Sequence, residues 1–207
     1  MAKASARREE LREKLIEAAE KTIVTQGHTA LKARALAEEV GCALGAIYTV
    51  FPDLAALVLA VNARSFALLS AMLGREAEAA AAEGGSPRAI ANRTLIALAN
   101  GYLDFAAEHG GRWHALFDFR LPDGQDLPED HLRQQDALFQ HLETPLAVLQ
   151  PGLARDERAL LARSLFSAAH GMVLLGLEGK LVQLPLPYLR EQIALVVSAM
   201  GRGLEGG

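Results

Sequence analysis

Six histidines and one cysteine are the side chains in this sequence best suited to metal binding or proton transfer. His28, His109, His114, His131, His141 and His170 nowhere stand three or four residues apart, the spacing that brings two imidazoles to one helix face. Cys42 has no second thiol, so no intrachain disulfide forms, and a reducing compartment fits. We therefore expect no metal and no cofactor. The sequence has no G-x-S-x-G elbow, phosphate-cradling glycine loop or H-E-x-x-H pair, and its scattered carboxylates form no recognisable acid–base pair. No catalytic residue is assigned, and the chain is not expected to be an enzyme.

Binding chemistry is better represented. GYLDFAAEHGGRWHALFDFRLPDG (101–124) holds Tyr102, Phe105, Trp113, Phe117 and Phe119, with His114, Asp118 and Arg120 among them. Such a mixture suits a pocket that is mostly apolar with a few convergent polar groups. Phe139, His141 and Met172 are candidates for its walls. Arg120 could hold an anion bidentately, or instead pair with Asp118 or Glu143.

The elements that must position these residues are helices. Hydrophobic residues make up 51% of the chain, with Ala and Leu in excess and no convincing strand alternation. Breaks at Gly27, Gly41, Pro52, 83–87, Gly110-Gly111, 121–128, 150–152 and 183–187 predict about nine helices. They fall near 6–26, 33–40, 44–50, 54–82, 87–109, 111–119, 128–149, 155–179 and 187–203. Asp53 is placed to cap the fourth. The fold class is all-α, with a small domain at 1–53 and a larger helical domain at 54–207. The opening MAKASARREELREK lacks the apolar core of a secretory signal, and LAALVLAV (54–61) is too short to span a bilayer. A soluble cytoplasmic protein, away from membranes, is expected.

Within EEVGCALGAIYTVFPDLAAL (38–57), Gly41 supplies a turn between two short helices, and Ala37 is small enough for close approach. Leu36, Val40, Ile47 and Val50 would share a core with Leu15, Ile23 and Leu31, which is helix-turn-helix spacing. RALAEEVGCALGAIYTVFPDLAAL resembles the DNA-binding domain of TetR-family transcriptional regulators through Leu36-Ala37, Gly41, Gly45, Tyr48, Phe51 and Leu57. The resemblance covers about residues 8–60. FSAAHG (166–171) is similar, more loosely, to the WHG-type ligand domain of that family, with Phe166 in place of tryptophan.

The resemblance implies a homodimeric repressor that binds a palindromic double-stranded DNA operator and is released by a small-molecule effector. It makes 43–50 the recognition helix. Lys32, Arg34, Ala43, Leu44, Gly45, Ala46, Tyr48 and Thr49 are then the DNA-binding candidates. Tyr102, Phe105, Trp113, His114, Phe117, Arg120, Phe139 and Met172 are the effector candidates. The last two helices would form a four-helix dimer interface through Phe166, Ser167, His170, Gly171 and Val197; burial of these residues within one subunit is the rival reading.

Three residues depart from the family pattern. Lys32 stands for the usual Ser or Thr cap, Ala43 for a common serine, and Leu54 for a phosphate-contacting lysine. Bidentate base readers are missing from 43–50. Sequence preference would then lean on apolar and shape readout, helped by Arg34 and by Lys3, Arg7, Arg8 and Arg12 as a basic arm ahead of the first helix. Cys42 reads as core filler. The alternative function is a dimeric helical module for ligand or protein that has lost specific DNA binding.

Overall fold

The computed structural model describes residues 2–179 and 184–204. Among these residues the chain forms nine α-helices and no strand. They are α1 (Ala2–Gln26), α2 (Ala33–Val40), α3 (Leu44–Val50), α4 (Leu54–Ala82), α5 (Pro87–Glu108), α6 (Gly110–Asp118), α7 (Glu129–Leu149), α8 (Arg155–Leu177) and α9 (Leu186–Leu204). A 3-10 turn, His28–Ala30, joins α1 to α2. The break expected at 183–187 begins at Gln183, outside the described residues.

The glycine and proline breaks end helices for local reasons. Gly41 closes α2 in the left-handed region (φ 73°), and the Cys42 N–H reaches the Ala37 carbonyl at 2.9 Å. Asp53 starts α4 by accepting the Ala56 N–H on Oδ1 at 2.7 Å, worth about 1 kcal/mol. The largest departure is at the start. Helix α1 begins at Ala2, so Arg7, Arg8 and Arg12 are helix residues and not a free arm. Ala, Glu, Lys, Arg and Leu are strong helix formers, and their density there carries the helix back. The side chain of Lys3 lies outside the described residues.

By packing, the chain divides into two compact units: Met1–Ala67 with His109–Leu132, and Leu68–Glu108 with Arg133–Gly207. The start of α4 and all of α6 thus pack with α1–α3, whereas a boundary at residue 53 would assign them to the C-terminal domain. Single unbroken helices, α4 and α7, contribute residues to both units.

The first unit is built around Leu15, Ile23, Leu31, Leu36, Ile47, Leu57 and Val61, with Ala37 at the α2 approach and Ala115 brought in by α6. Phe119 packs on this core and meets the His28 ring edge-on at 5.6 Å. Polar ties hold the same helices. Glu20 on α1 accepts from Arg64 on α4 at 2.8 Å and from Arg112 on α6, Arg64 also reaches Glu13, and the Asn62 amide donates to the Ala115 carbonyl at 3.0 Å. Burial pushes the Glu20 carboxyl up, but the two guanidinium hydrogen bonds outweigh it and leave it below its ordinary value.

Burial acts on two imidazoles in the same sense. His131, at the start of α7, lies against the Phe66 ring at 5.2 Å, and its Nδ1 has no hydrogen-bond partner among the described residues. Burial holds it below the ordinary histidine value of 6.5, and burial does the same to His141. An imidazole depressed in the folded state binds fewer protons than the same group in the unfolded chain, so stability falls as pH drops below that value. Replacing His131 with Phe should shrink the loss of melting temperature between about pH 6.5 and pH 5. Thermal denaturation followed by circular dichroism checks this, and an unchanged slope contradicts it.

Candidate DNA face and effector cavity

Helix α3 has one buried side chain, Ile47, and it is fully enclosed. Val50, Phe51 and Cys42 complete the attachment from the helix end and the turn. Cys42 is partly buried against this core, which agrees with a filling role. Docking α3 by Ile47 turns its other face outward. Leu44 is 40% and Tyr48 50% exposed, while Ala43, Gly45 and Thr49 are exposed and Ala46 is half-buried. Leu44 and Tyr48 thus leave much of their apolar and aromatic surface in water. The Thr49 hydroxyl donates to the Ala46 carbonyl at 2.7 Å, which leaves its oxygen as an acceptor for a partner.

The other DNA-binding candidates lie in the same unit. Lys32 is extended at the N-cap of α2, gives no side-chain cap, and rests its Nζ 3.5 Å from the Thr29 carbonyl. Arg34 is exposed on the first turn of α2. Arg7, Arg8 and Lys14 line an open hollow that also takes in Cys42 and Thr49. Several early cations are already engaged. Lys14 pairs with Glu10 at 2.7 Å and Lys21 with Glu39 at 2.8 Å, while Arg12 lies 5.5 Å over the Phe51 ring beside Glu13. Leu54, where a lysine would meet phosphate, packs against the first-unit core.

The second unit contains a narrow apolar cavity of about 40 Å³. Its walls come from Leu73 on α4, Leu95, Leu98, Ala99 and Tyr102 on α5, Leu138, Phe139 and Leu142 on α7, Leu165, Phe166 and Ala169 on α8, and Val197 on α9. The Tyr102 hydroxyl and His170 Nδ1 are hydrogen-bonded at 2.7 Å, and Phe166 touches the rings of Tyr102, Phe139 and His170 edge-on or tilted.

Of the expected effector residues, the cavity brings together Tyr102 and Phe139. Phe105 is fully buried in the α5 core and Met172 is half-buried, and neither lines the cavity. Trp113, His114, Phe117 and Arg120 belong to the first unit. There Trp113 is buried, its ring 5.0 Å from that of His114 and 5.9 Å from that of Phe117. His114 pairs with Asp118 at 2.8 Å along α6, and Arg120 donates to the Phe117 carbonyl at 2.6 Å, closing the helix end instead of holding Asp118 or Glu143. The stretch 101–124 is divided because α5 ends at Glu108 and its aromatics go to different cores. Missed residues such as Leu98, Leu138 and Ala169 sit at three-four spacing with Leu95, Leu142 and Leu165. The stripes are visible in sequence, but their facing one another is not.

Among the expected interface residues, Phe166 and Val197 form cavity wall, and His170 is tied to Tyr102. Ser167 is exposed, and a side chain at Gly171 would meet nothing within 4 Å. Around them α8 and α9 leave large apolar groups in water: Leu160 (67% exposed), Leu195 (58%) and Tyr188 (60%), with Leu175 and Leu177. Helices α4 and α8 are each long and apolar enough to cross a membrane by length and composition.

An outward-facing second helix of a helix-turn-helix, joined through a long helix to a helical unit with an apolar cavity, defines a ligand-responsive transcriptional regulator. The family model for the Tetracyclin repressor-like C-terminal domain matches residues 95–200, just over half the chain, and the protein belongs to the TetR family of DNA-binding transcriptional regulators. No match was found among curated proteins. The fold is shared with a protein of unknown function from Rhodococcus sp. RHA1 (24% identity, TM-score 0.70, 92% of this chain and 94% of that one). It is shared with the transcriptional regulator FadR from Bacillus subtilis, solved in complex with stearoyl-CoA (14%, 0.67, 90% and 97%). A TetR-family regulator from Streptomyces coelicolor also has it (21%, 0.61, 96% and 86%).

Proposed function

We propose that the protein is a cytoplasmic homodimeric repressor that grips a palindromic operator with α3 of each subunit and lets go when a small molecule enters the second-unit cavity. Residues 1–53 carry DNA recognition and the remainder carries effector response and dimerisation. The exposure of Leu44 and Tyr48 on a helix anchored by Ile47 is the observation that carries this reading. Tyr48 meets phosphate, Leu44 and Thr49 meet base edges or a thymine methyl group, and Gly45 permits close approach. Lys32 and Arg34 supply phosphate charge.

The exposed leucines of α8 and α9, with Ser167 and Gly171 between them, support a second copy as the natural cover for that face. The apolar lengths of α4 and α8 are then core and subunit contact, not membrane spans. Helix α4 is the obvious carrier of the signal, because it is one unbroken helix with residues in both units. The absence of Arg, Lys, Asn and Gln from α3 favours a second reading, a dimer that no longer reads DNA. Selection of duplexes from a random pool separates the two. The proposal expects an inverted repeat to be enriched by the wild type and lost with Tyr48→Ala; enrichment of no sequence supports the second reading.

A further inference from the structure

Resting on the effector reading above, we infer that the effector is an uncharged, mainly hydrocarbon molecule whose single hydrogen-bonding group meets Tyr102. Among the described residues that line the cavity, Tyr102 alone carries a polar side-chain atom. Its hydroxyl is already polarised by His170 at 2.7 Å, so a ligand hydroxyl or carbonyl arriving there joins an existing hydrogen bond.

Arg163, a cation over the aromatic wall, is engaged by other partners. Arg163 lies 4.8 Å from the Phe139 ring centroid, pairs with Asp136 at 3.1 Å, and donates to the Ala159 carbonyl at 3.3 Å. A carboxylate or phosphate inside the cavity would therefore lose its hydration with no opposite charge lining the wall, a large penalty.

Shape points the same way. A cavity of about 40 Å³ holds only a few water-sized spheres, so an effector that fills it must turn side chains aside. Phe166 and Phe139 meet edge-on at 5.5 Å across the wall and are the rings best placed to swing. A slim, flexible hydrocarbon asks for the least displacement, and its burial supplies the driving force.

The test uses the full chain, the neutral fluorescent probe N-phenyl-1-naphthylamine, and two competitors of equal chain length, decan-1-ol and decanoate, at about pH 8, where the acid is ionised. The probe should bind, and decan-1-ol should displace it at concentrations about a hundredfold lower than decanoate does. Tyr102→Phe should keep probe binding while weakening decan-1-ol by about tenfold. Equal or tighter binding of decanoate overturns the inference, as does a Tyr102→Phe variant that leaves decan-1-ol unchanged. Either result leaves the effector cavity itself standing. The cavity reading fails instead if the wild type does not bind the probe, or if Ala99→Leu and Ala169→Leu, both checked for helical content, bind it as the wild type does.

Discussion

Gly111→Ala is expected to loosen α6 from α1 and to lower the melting temperature of the protein. A methyl group at Gly111 would sit 2.8 Å from the carbonyl carbon of Val24 and closer still to its oxygen. Real Cβ atoms do not approach a backbone carbonyl so closely, and the Val24 carbonyl belongs to the last turn of α1. The helices must separate, and overpacking of this kind costs about 1–3 kcal/mol. Separation also stretches the Glu20–Arg112 pair and draws Ala115 from the first-unit core. Gly110→Ala is the control, since a side chain there meets nothing within 4 Å. Thermal denaturation of the pair should show a clear drop for Gly111→Ala and little change for Gly110→Ala. Equal melting temperatures would contradict the close backbone contact.

Ile47→Ala should have a larger effect, and it should fall on DNA binding as well as on stability. Ile47 is fully buried and is the single buried side chain of the seven-residue α3. Truncating such a residue costs about 2–5 kcal/mol. A helix of two turns has almost no stability of its own, so loss of its anchor frees the element that presents Leu44 and Tyr48. Urea denaturation should show the lost stability. Anisotropy on an operator duplex, well below the melting temperature, should show affinity reduced by about tenfold or more. Tyr48→Ala, by contrast, should weaken DNA binding with little change in urea midpoint, because half of that side chain is already in water. If Ile47→Ala bound DNA as the wild type does, α3 would not be the reading element.

The helices were legible because Gly41, Pro52, Gly110 and the 121–128 loop are strong local punctuation, and local rules decide where helices stop. Asp53 could be read as a cap for the same reason, and the structure bears it out. The helix-turn-helix core was legible because its members repeat at fixed offsets, and Leu36, Ala37 and Ile47 are buried as that spacing predicts. The start of α1 is not legible, because dense charge suits an arm as well as a helix, and here the helix propensity of the same residues prevails. The cavity was half legible. Tyr102 and Phe139 are cavity residues, but proximity in sequence grouped Tyr102 with Trp113 and Arg120, which tertiary packing separates. Which of several apolar stripes face one another is a property of helix packing that no single stripe records.

The central claim is that α3 reads DNA, and salt-titrated fluorescence anisotropy on the duplex recovered from a random pool tests it most directly. The account predicts nanomolar binding that weakens steeply with salt and exceeds binding to a scrambled duplex by at least about a thousandfold. Equal, weak binding to the selected and scrambled duplexes would contradict it.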